Sequence, residues 1–477
     1  MKYMWQRAIF PINWMSGELT MTDRLPQVFP LTCALGEFAA RPGDIPDLAL
    51  QTARIGLTDA IGVMLAGRSE PVLRALYTTL DVERSAEATG LVQVLGTKER
   101  ARALDAALLN GTAAHALAMD DVAAGCHPSS MLMAALVCQA QLSGHGGLDI
   151  LRAYVVGYEI LAELAGREPD ALHRSGWHPS AVLGPVAVAG AVAHLMGLDG
   201  EACAHALGMA ASMTGELVAN FGTGAKPLHI GRAAQAGLLA ARMAAAGVTA
   251  AQDALESKTG LLSAISPSGR VDLTREPACL NDLWHITRSG ISIKQYPVCY
   301  STHRVVDAAI TVAGLPGFAV ENIQRIEVSI GATQAWMARH HRPLSVPEAK
   351  YSVEFAVASG LIARAAGFAQ LNDTFIQSEA VQRLIGATDL ALSDDVSEED
   401  AVFSPFDHVA VQLTDGARYD SGPVRYARGN AKLAMTDVER HRKFVDCARH
   451  GGYAEPEALW SRLESLATLN CLEDLFV

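Results

Sequence analysis

Between about Pro46 and Gly247 the chain carries seven successive blocks with apolar residues at helical spacing: 48–67, 101–118, 129–143, 148–166, 180–197, 200–213 and 228–247. Several are built from Ala, Gly, Val, Leu and Met on every side, with no polar face to turn to water. A helix of that kind is stable only when surrounded by other helices, and its small residues let backbones approach closely. Several blocks end on glycine, the residue favoured at a left-handed C-terminal cap. This stretch therefore predicts an all-α domain with fully buried central helices.

The pattern changes at SPSGRVDLTREPACL (266–280), a turn-rich connector. Beyond it, IQRIEVSIGA (323–332) alternates at Ile326, Val328 and Ile330, and HVAVQLTDGARYD (408–420) alternates at Val409, Val411 and Leu413 before turning on Asp415-Gly416. EFAVASGLIARAAG (354–367) reads as a helix between these strands, and the tail is helical again from about Thr436. The expected fold class is mainly α, with a large all-α domain and a smaller α+β lid. The domain occupies 21–267 and is completed by 429–477; the lid occupies 268–428. Residues 1–20 are expected to be a disordered extension, with Met15 and Met21 as alternative starts.

Charge and cysteine usage narrow the function. The formal net charge is −13, which speaks against a global nucleic-acid role, because phosphate binding needs a positive footprint. An anionic substrate would have to be drawn by a local pocket against the overall field. The eight cysteines are scattered without a CxxC pair, which suits a reducing cytoplasm and argues against a cysteine-based metal site. No stretch has ~18 uninterrupted apolar residues, so no membrane partner is expected.

One local design recurs. GCHPSSMLMAAL from Gly125, GWHPSAVLGPVA from Gly176 and GAKPLHIGRAAQ from Gly224 each place a cation-capable residue before a proline that opens a helix of small residues. His127, His178 and Lys226 thus stand at or just before three helix N-termini, where free N–H groups and the helix dipole favour an anion. The same dipole lowers the proton affinity of a histidine or lysine unless an anion is bound. Asp120-Asp121 precedes the first of these points; such a pair can bind a metal ion, hold a histidine in one tautomer, or be no more than an acid pair at a helix end. His115 lies on the same helix and reads as a satisfied core histidine. His229 either joins the pocket or packs beneath it; Arg232, one turn on, reads as structural, at a subunit interface. KQYPVCYSTH (294–303) gathers Lys294, Tyr296, Cys299 and His303 just past the connector, as one wall of an interdomain cleft would. RHHRP (339–343) reads as a solvated basic turn. GxGxxG after a strand, a P-loop, HExxH and GxSxG are all absent from the sequence. The remaining chemistry is proton transfer by Lys, His, Tyr and carboxylates, with no metal and no cofactor expected.

Taken together and in order, NGTAAHALAMDD, HPSS, GWHPSAVLG, GAKPLHIGRAA, ESKTGLLSA, KQYPVCYSTH and HRPLSVPEAKYSVEFAVA make the chain resemble the MmgE/PrpD family. That family includes 2-methylcitrate dehydratase, cis-aconitate decarboxylase and iminodisuccinate epimerase. The resemblance implies an all-α domain with an α+β lid, a homodimer, and a di- or tricarboxylate bound between the domains. It places His127, His178, Lys226 and Lys294 at active-site positions. Two departures accompany it. Many members read H-x-L-D-[FY]-D-D, whereas this chain reads HALAMDD, with Ala118 in place of the first Asp. Cys299 stands where the decarboxylases carry a histidine. Both count against decarboxylation of cis-aconitate. GWHPSAVLG also differs from the corresponding stretch of typical 2-methylcitrate dehydratases.

The family's reactions share removal of a proton, or of CO₂, next to a carboxylate. The enediolate-like dianion formed needs prearranged positive groups. On this reading His178 is the base and Lys226 the carboxylate clamp or second acid/base, with the two roles open to exchange. A dehydratase ranks first and an epimerase second. A cis-aconitate-type decarboxylase and a non-catalytic carboxylate-binding protein complete the alternatives.

Overall fold

The computed structural model describes residues 27–80, 90–281, 283–400, 402–472 and 475. The expected N-terminal extension lies outside them. The chain opens with α1 (Leu31–Ala40), α2 (Asp47–Gly67) and α3 (Pro71–Thr79), then a two-stranded ribbon of β1 (Val92–Gln93) and β2 (Arg100–Ala101). Six long helices follow: α4 (Ala103–His115), α5 (Pro128–Ser143), α6 (Gly147–Ala165), α7 (Pro179–Leu195), α8 (Gly200–Ala211) and α9 (Ala225–Ala245). The apolar blocks of the sequence are these helices. Helices α5 and α7 are buried along nearly their whole length, as their lack of a polar face requires. Helix α2 is long and apolar enough to cross a membrane by length and composition, but most of it is buried among its neighbours, and Phe444 covers Gly62.

One close approach positions the site. Where α4 crosses α9, a Cβ on Gly111 would come 2.9 Å from the Cα of Gly231, and one on Gly231 would come within 2.3 Å of the carbonyl oxygen of Leu108. Any larger residue would force the helices apart. The glycine pair brings the C-terminal end of α4 to the N-terminal end of α9.

After α10 (Leu261–Ile265) and α11 (His285–Ser289) comes α12 (His303–Ala313). A four-stranded sheet in the order β4-β3-β5-β6 is then built from β3 (Ile323–Gly331), β4 (Thr388–Ser393), β5 (His408–Leu413) and β6 (Arg418–Asp420). β3 pairs in parallel with β4 and antiparallel with β5, which faces Val411 to Ile326 and Val409 to Val328. The alternating residues Ile326, Val328 and Ile330 are buried, as the period of a half-covered strand demands. Between β3 and β4 run α13 (Ala332–Met337), α14 (Val346–Ala349), α15 (Val353–Ala363), α16 (Asp373–Ile376) and α17 (Glu379–Gly386). α18 (Asp437–His450), started by a Thr436–Glu439 capping box, and α19 (Pro456–Glu464) return to the helical unit.

Among the described residues two large hydrophobic cores result, with two small clusters beside them. Cys279, Trp284, Ile286, Ile291 and Ile293 belong to the first, and the second begins at Tyr296. The packing boundary therefore lies near 294 and not at 268. The turn-rich connector crosses the surface of the helical unit, and apolar residues after it re-enter that core before the chain leaves for the lid.

Candidate active site

Helix α4 ends at His115, and the chain turns through Ala118, a non-glycine residue in the left-handed region (φ 53°), to reach Asp120 and Asp121. Nδ1 of His115 donates to the carboxylate of Asp120 at 2.8 Å, and Ser130 Oγ donates to the same carboxylate at 2.9 Å. The Nζ of Lys226 meets the other ring nitrogen of His115, Nε2.

His127 and His178 cap α5 and α7, each two residues after a glycine of positive φ (Gly125, 70°; Gly176, 85°), with Pro128 and Pro179 opening the helices as expected. The third point differs. Helix α9 begins at Ala225, because the Thr223 hydroxyl accepts from its N–H and the Thr223 carbonyl from that of Lys226. Lys226 thus lies inside the first turn, and Pro227 follows the helix start where its sequence position suggested that it opens it. A proline without an N–H is tolerated throughout that turn, where the donors have no intrahelical partner.

These ends converge. The ring centroids of His115 and His127 are 4.6 Å apart, those of His115 and His178 6.0 Å, and those of His127 and His178 6.1 Å. His127 Nδ1 donates to the Asp121 carbonyl at 2.8 Å, and the Nδ1 atoms of His178 and His229 share a proton across 3.0 Å. His229 thus packs behind His178. The Phe221 ring stands edge-on to His178, and Lys226 Nζ lies 4.8 Å from that ring's centroid. His115, His127 and His178 offer ring nitrogens within 4.8 Å of one another, a spacing that can hold a metal ion. The Lys226 amine against His115 opposes a cation there and favours an anion.

Burial lowers the proton affinity of every base in this cluster. His178 falls well below the ordinary histidine value through burial and then through Lys226 and the neighbouring imidazoles. His115 falls to about 4, again through burial first, with Asp120 opposing the shift. Lys226 falls to about 7 through burial and the charge of Lys294, against the pull of Asp120. Burial opposes ionisation of Asp120, but His115, His127 and Lys294 outweigh it and hold that carboxyl well below its usual range.

The lid adds cations. Lys294 Nζ donates to the Ala118 carbonyl at 2.9 Å and lies 3.6 Å from the Asp120 carboxylate. Lys350 donates to the Ala116 carbonyl at 3.3 Å. Arg339, from the basic RHHRP turn, donates to the carbonyls of Ala219 and Phe221 at 3.2 and 2.8 Å, so that turn bridges the two units where it was expected to be solvated. Cys299 is partly buried against Val218, Phe221 and Tyr351.

Other expected site residues point elsewhere. Asp121 accepts from the backbone N–H of Ser129 at 3.1 Å and from its hydroxyl at 2.6 Å, so the α5 N-terminus is already occupied by a carboxyl of the protein. Tyr296 donates to Asp307 at 2.6 Å within the lid, and His303 is buried beside Tyr296 and Tyr300. Arg232 pairs with Glu216 at 3.3 Å. His115, set aside as a core histidine, is the centre of the cluster; the signal was a histidine ending a helix five residues before a buried acid. Lys350 was not singled out, although it lies in the HRPLSVPEAKYSVEFAVA segment. A cavity of about 600 Å³ lies away from this cluster, beside Asp44, His145, Arg152 and His194.

Both domains of one family match the chain: the MmgE/PrpD N-terminal domain over residues 36–274 and the MmgE/PrpD C-terminal domain over residues 296–465. Among curated proteins, the human cis-aconitate decarboxylase is 27% identical over 78% of this chain and 76% of its own length. A cis-aconitate decarboxylase-like protein of Aspergillus oryzae is 28% identical over 83% and 86%. The mouse cis-aconitate decarboxylase is 30% identical over 54% of each.

Proposed function

The chain belongs to the MmgE/PrpD family, and from that premise we propose that it is a lyase that acts on a small di- or tricarboxylate by proton abstraction next to a carboxylate, without an obligatory cofactor, in the manner of a dehydratase. The observation that carries this reading is the buried meeting of Lys226 with the cluster of histidines at 115, 127 and 178, a cation-capable group inside a chain of net charge −13. Lys294 and Lys226 draw the substrate carboxylates and stabilise the dianion. His178 is neutral at working pH, its Nδ1 is engaged by His229, and Nε2 takes the proton next to the carboxylate. Lys226, with a proton affinity near neutrality, gives its proton to the departing β-hydroxyl, which leaves as water. The product is an α,β-unsaturated acid.

Decarboxylation is the second reading, favoured by the names of the relatives. Against it stand a methyl group at Ala118 and a thiol at Cys299. Epimerisation uses the same first step with reprotonation on the other face. Incubation with a panel of polycarboxylates in D₂O, followed by NMR and CO₂ release, separates them. New vinyl protons without CO₂ support the dehydratase. CO₂ release identifies a decarboxylase, and α-deuteration with inversion an epimerase. Binding with no exchange and no bond cleavage overturns the lyase reading. The expected homodimer is tested by analytical ultracentrifugation.

A further inference from the structure

Asp120, His115 and Lys226 stand in one line of hydrogen bonds. The Asp120 carboxylate accepts from Nδ1 of His115, which fixes that ring with its proton on Nδ1 and a lone pair on Nε2. Lys226 Nζ donates into that lone pair. The same amine faces the Phe221 ring. A lysine side chain has four rotatable bonds, and here its head is held on two sides. Ser130 fixes the far end by donating to Asp120.

We propose that Asp120, His115 and Lys226 form a triad whose reactive end is the lysine, with His115 as the positioning residue that aims the Lys226 amine and couples its proton to the Asp120 charge. This rests on the reading of Lys226 as proton donor to the leaving group. The logic is that of a nucleophile–histidine–carboxylate triad, with an amine in place of the hydroxyl. His115 neither gains nor loses a proton overall. Lys226 passes one N–H proton to the departing hydroxyl, becomes a neutral amine that still donates to His115, and is recharged from solvent.

The charges facing Lys226 set the direction of the test. Asp120 and Cys299 favour its ammonium form; Lys294 and Lys350 oppose it. The imidazoles of His115, His127, His173, His178 and His229 border it as neutral groups. Asp120→Asn removes the main favourable charge and leaves the two lysines unopposed. Lys226 then loses its proton more easily, and the alkaline limb of kcat moves to lower pH. A fall in kcat on the order of 10²-fold is expected, with KM changed by less than about threefold. His115→Gln places a carboxamide oxygen to accept from Lys226 and is expected to retain more activity than His115→Leu. Equal losses in these two variants with an unmoved alkaline limb would show a merely structural histidine and overturn the triad.

A second measurement needs no turnover. In substrate-free enzyme labelled with ¹⁵N-histidine, the His115 signals, assigned by their loss in His115→Gln, are expected to show Nδ1 protonated and Nε2 bare. The Nε2 signal is expected to shift in Lys226→Met. A proton on Nε2 would overturn the triad even in an active lyase. The expected tautomer in a protein that cleaves no polycarboxylate supports the triad and removes the lyase reading alone.

Discussion

The helical unit and the lid send cations to the same turn, residues 115–121, but hold them in different ways. In the helical unit the bonds around Lys226 run from side chain to side chain: Asp120 to His115, His115 to Lys226, His178 to His229; His127 and Lys443 add bonds to the Asp121 and Met119 carbonyls. Their strength depends on which atom carries which proton. In the lid the main acceptors are backbone carbonyls: Ala118 for Lys294, Ala116 for Lys350, Ala219 and Phe221 for Arg339. A carbonyl never titrates in the working range. The carbonyls just past the C-terminal end of α4 also sit at the negative end of the helix dipole, where lysines are favoured. The floor therefore holds the proton chemistry, and the lid holds charge and closure.

If that division is right, the largest effect belongs to the floor. Lys226→Met is expected to lower kcat by about 10³-fold or more with an unchanged far-UV spectrum; retention of activity within a few-fold breaks the comparison outright. His178→Asn comes next, with a loss of roughly 10²-fold in kcat. Because His178 must be neutral to act, and its proton affinity lies well below the ordinary histidine value, the acid limb of wild-type kcat/KM is expected well below pH 6.5, the unperturbed histidine value. A limb near that value would remove His178 as the base.

Apart from Lys294, which stabilises the dianion, the lid is expected to respond in binding and not in chemistry. Arg339→Ala should raise KM by roughly tenfold while kcat stays within about threefold, measured by steady-state kinetics. An equal loss in kcat would mean that the lid completes the reacting centre.

Stability reports on the floor as well. The folded-state values of His115 and of His173, a buried histidine whose ring stands edge-on to Phe221, are both about 4, below the ordinary histidine value of 6.5. A depressed value means that the unfolded chain binds more protons between those limits, so stability is fully present above the unfolded value and is lost as pH falls through the folded one. The melting temperature is expected to drop steadily between pH 7 and 4, and His173→Asn to flatten that slope. The last effect concerns the turn itself. Ala118 has positive φ, a conformation in which Asp is better accommodated than Ala, but it is buried beside Asp120, so Ala118→Asp should lower stability by about 1–3 kcal/mol in a denaturant melt.

Much of this was readable from residue order. The small-residue helices, the alternating strands, the Asp415-Gly416 hairpin turn and the His-Pro helix starts all depend on neighbours within a few positions. The role of Asp121 was not readable, because an acid before a helix and an acid on a substrate look alike until the Ser129 contacts are seen. Tyr296 and His303 share a short segment with Lys294, yet the turn after Lys294 sends them into the lid's own core.

By itself the sequence determined the family, the two kinds of fold and two of the three convergent helix starts, because backbone propensity, apolar period and proline placement are local. Tertiary structure alone decided that His115 belongs with Lys226, 111 residues away, and that Lys350 reaches Ala116 across 234 residues. The Gly111–Gly231 crossing sets the first of these pairings and lid docking the second. No local pattern encodes either, because each is a property of how two packed surfaces meet.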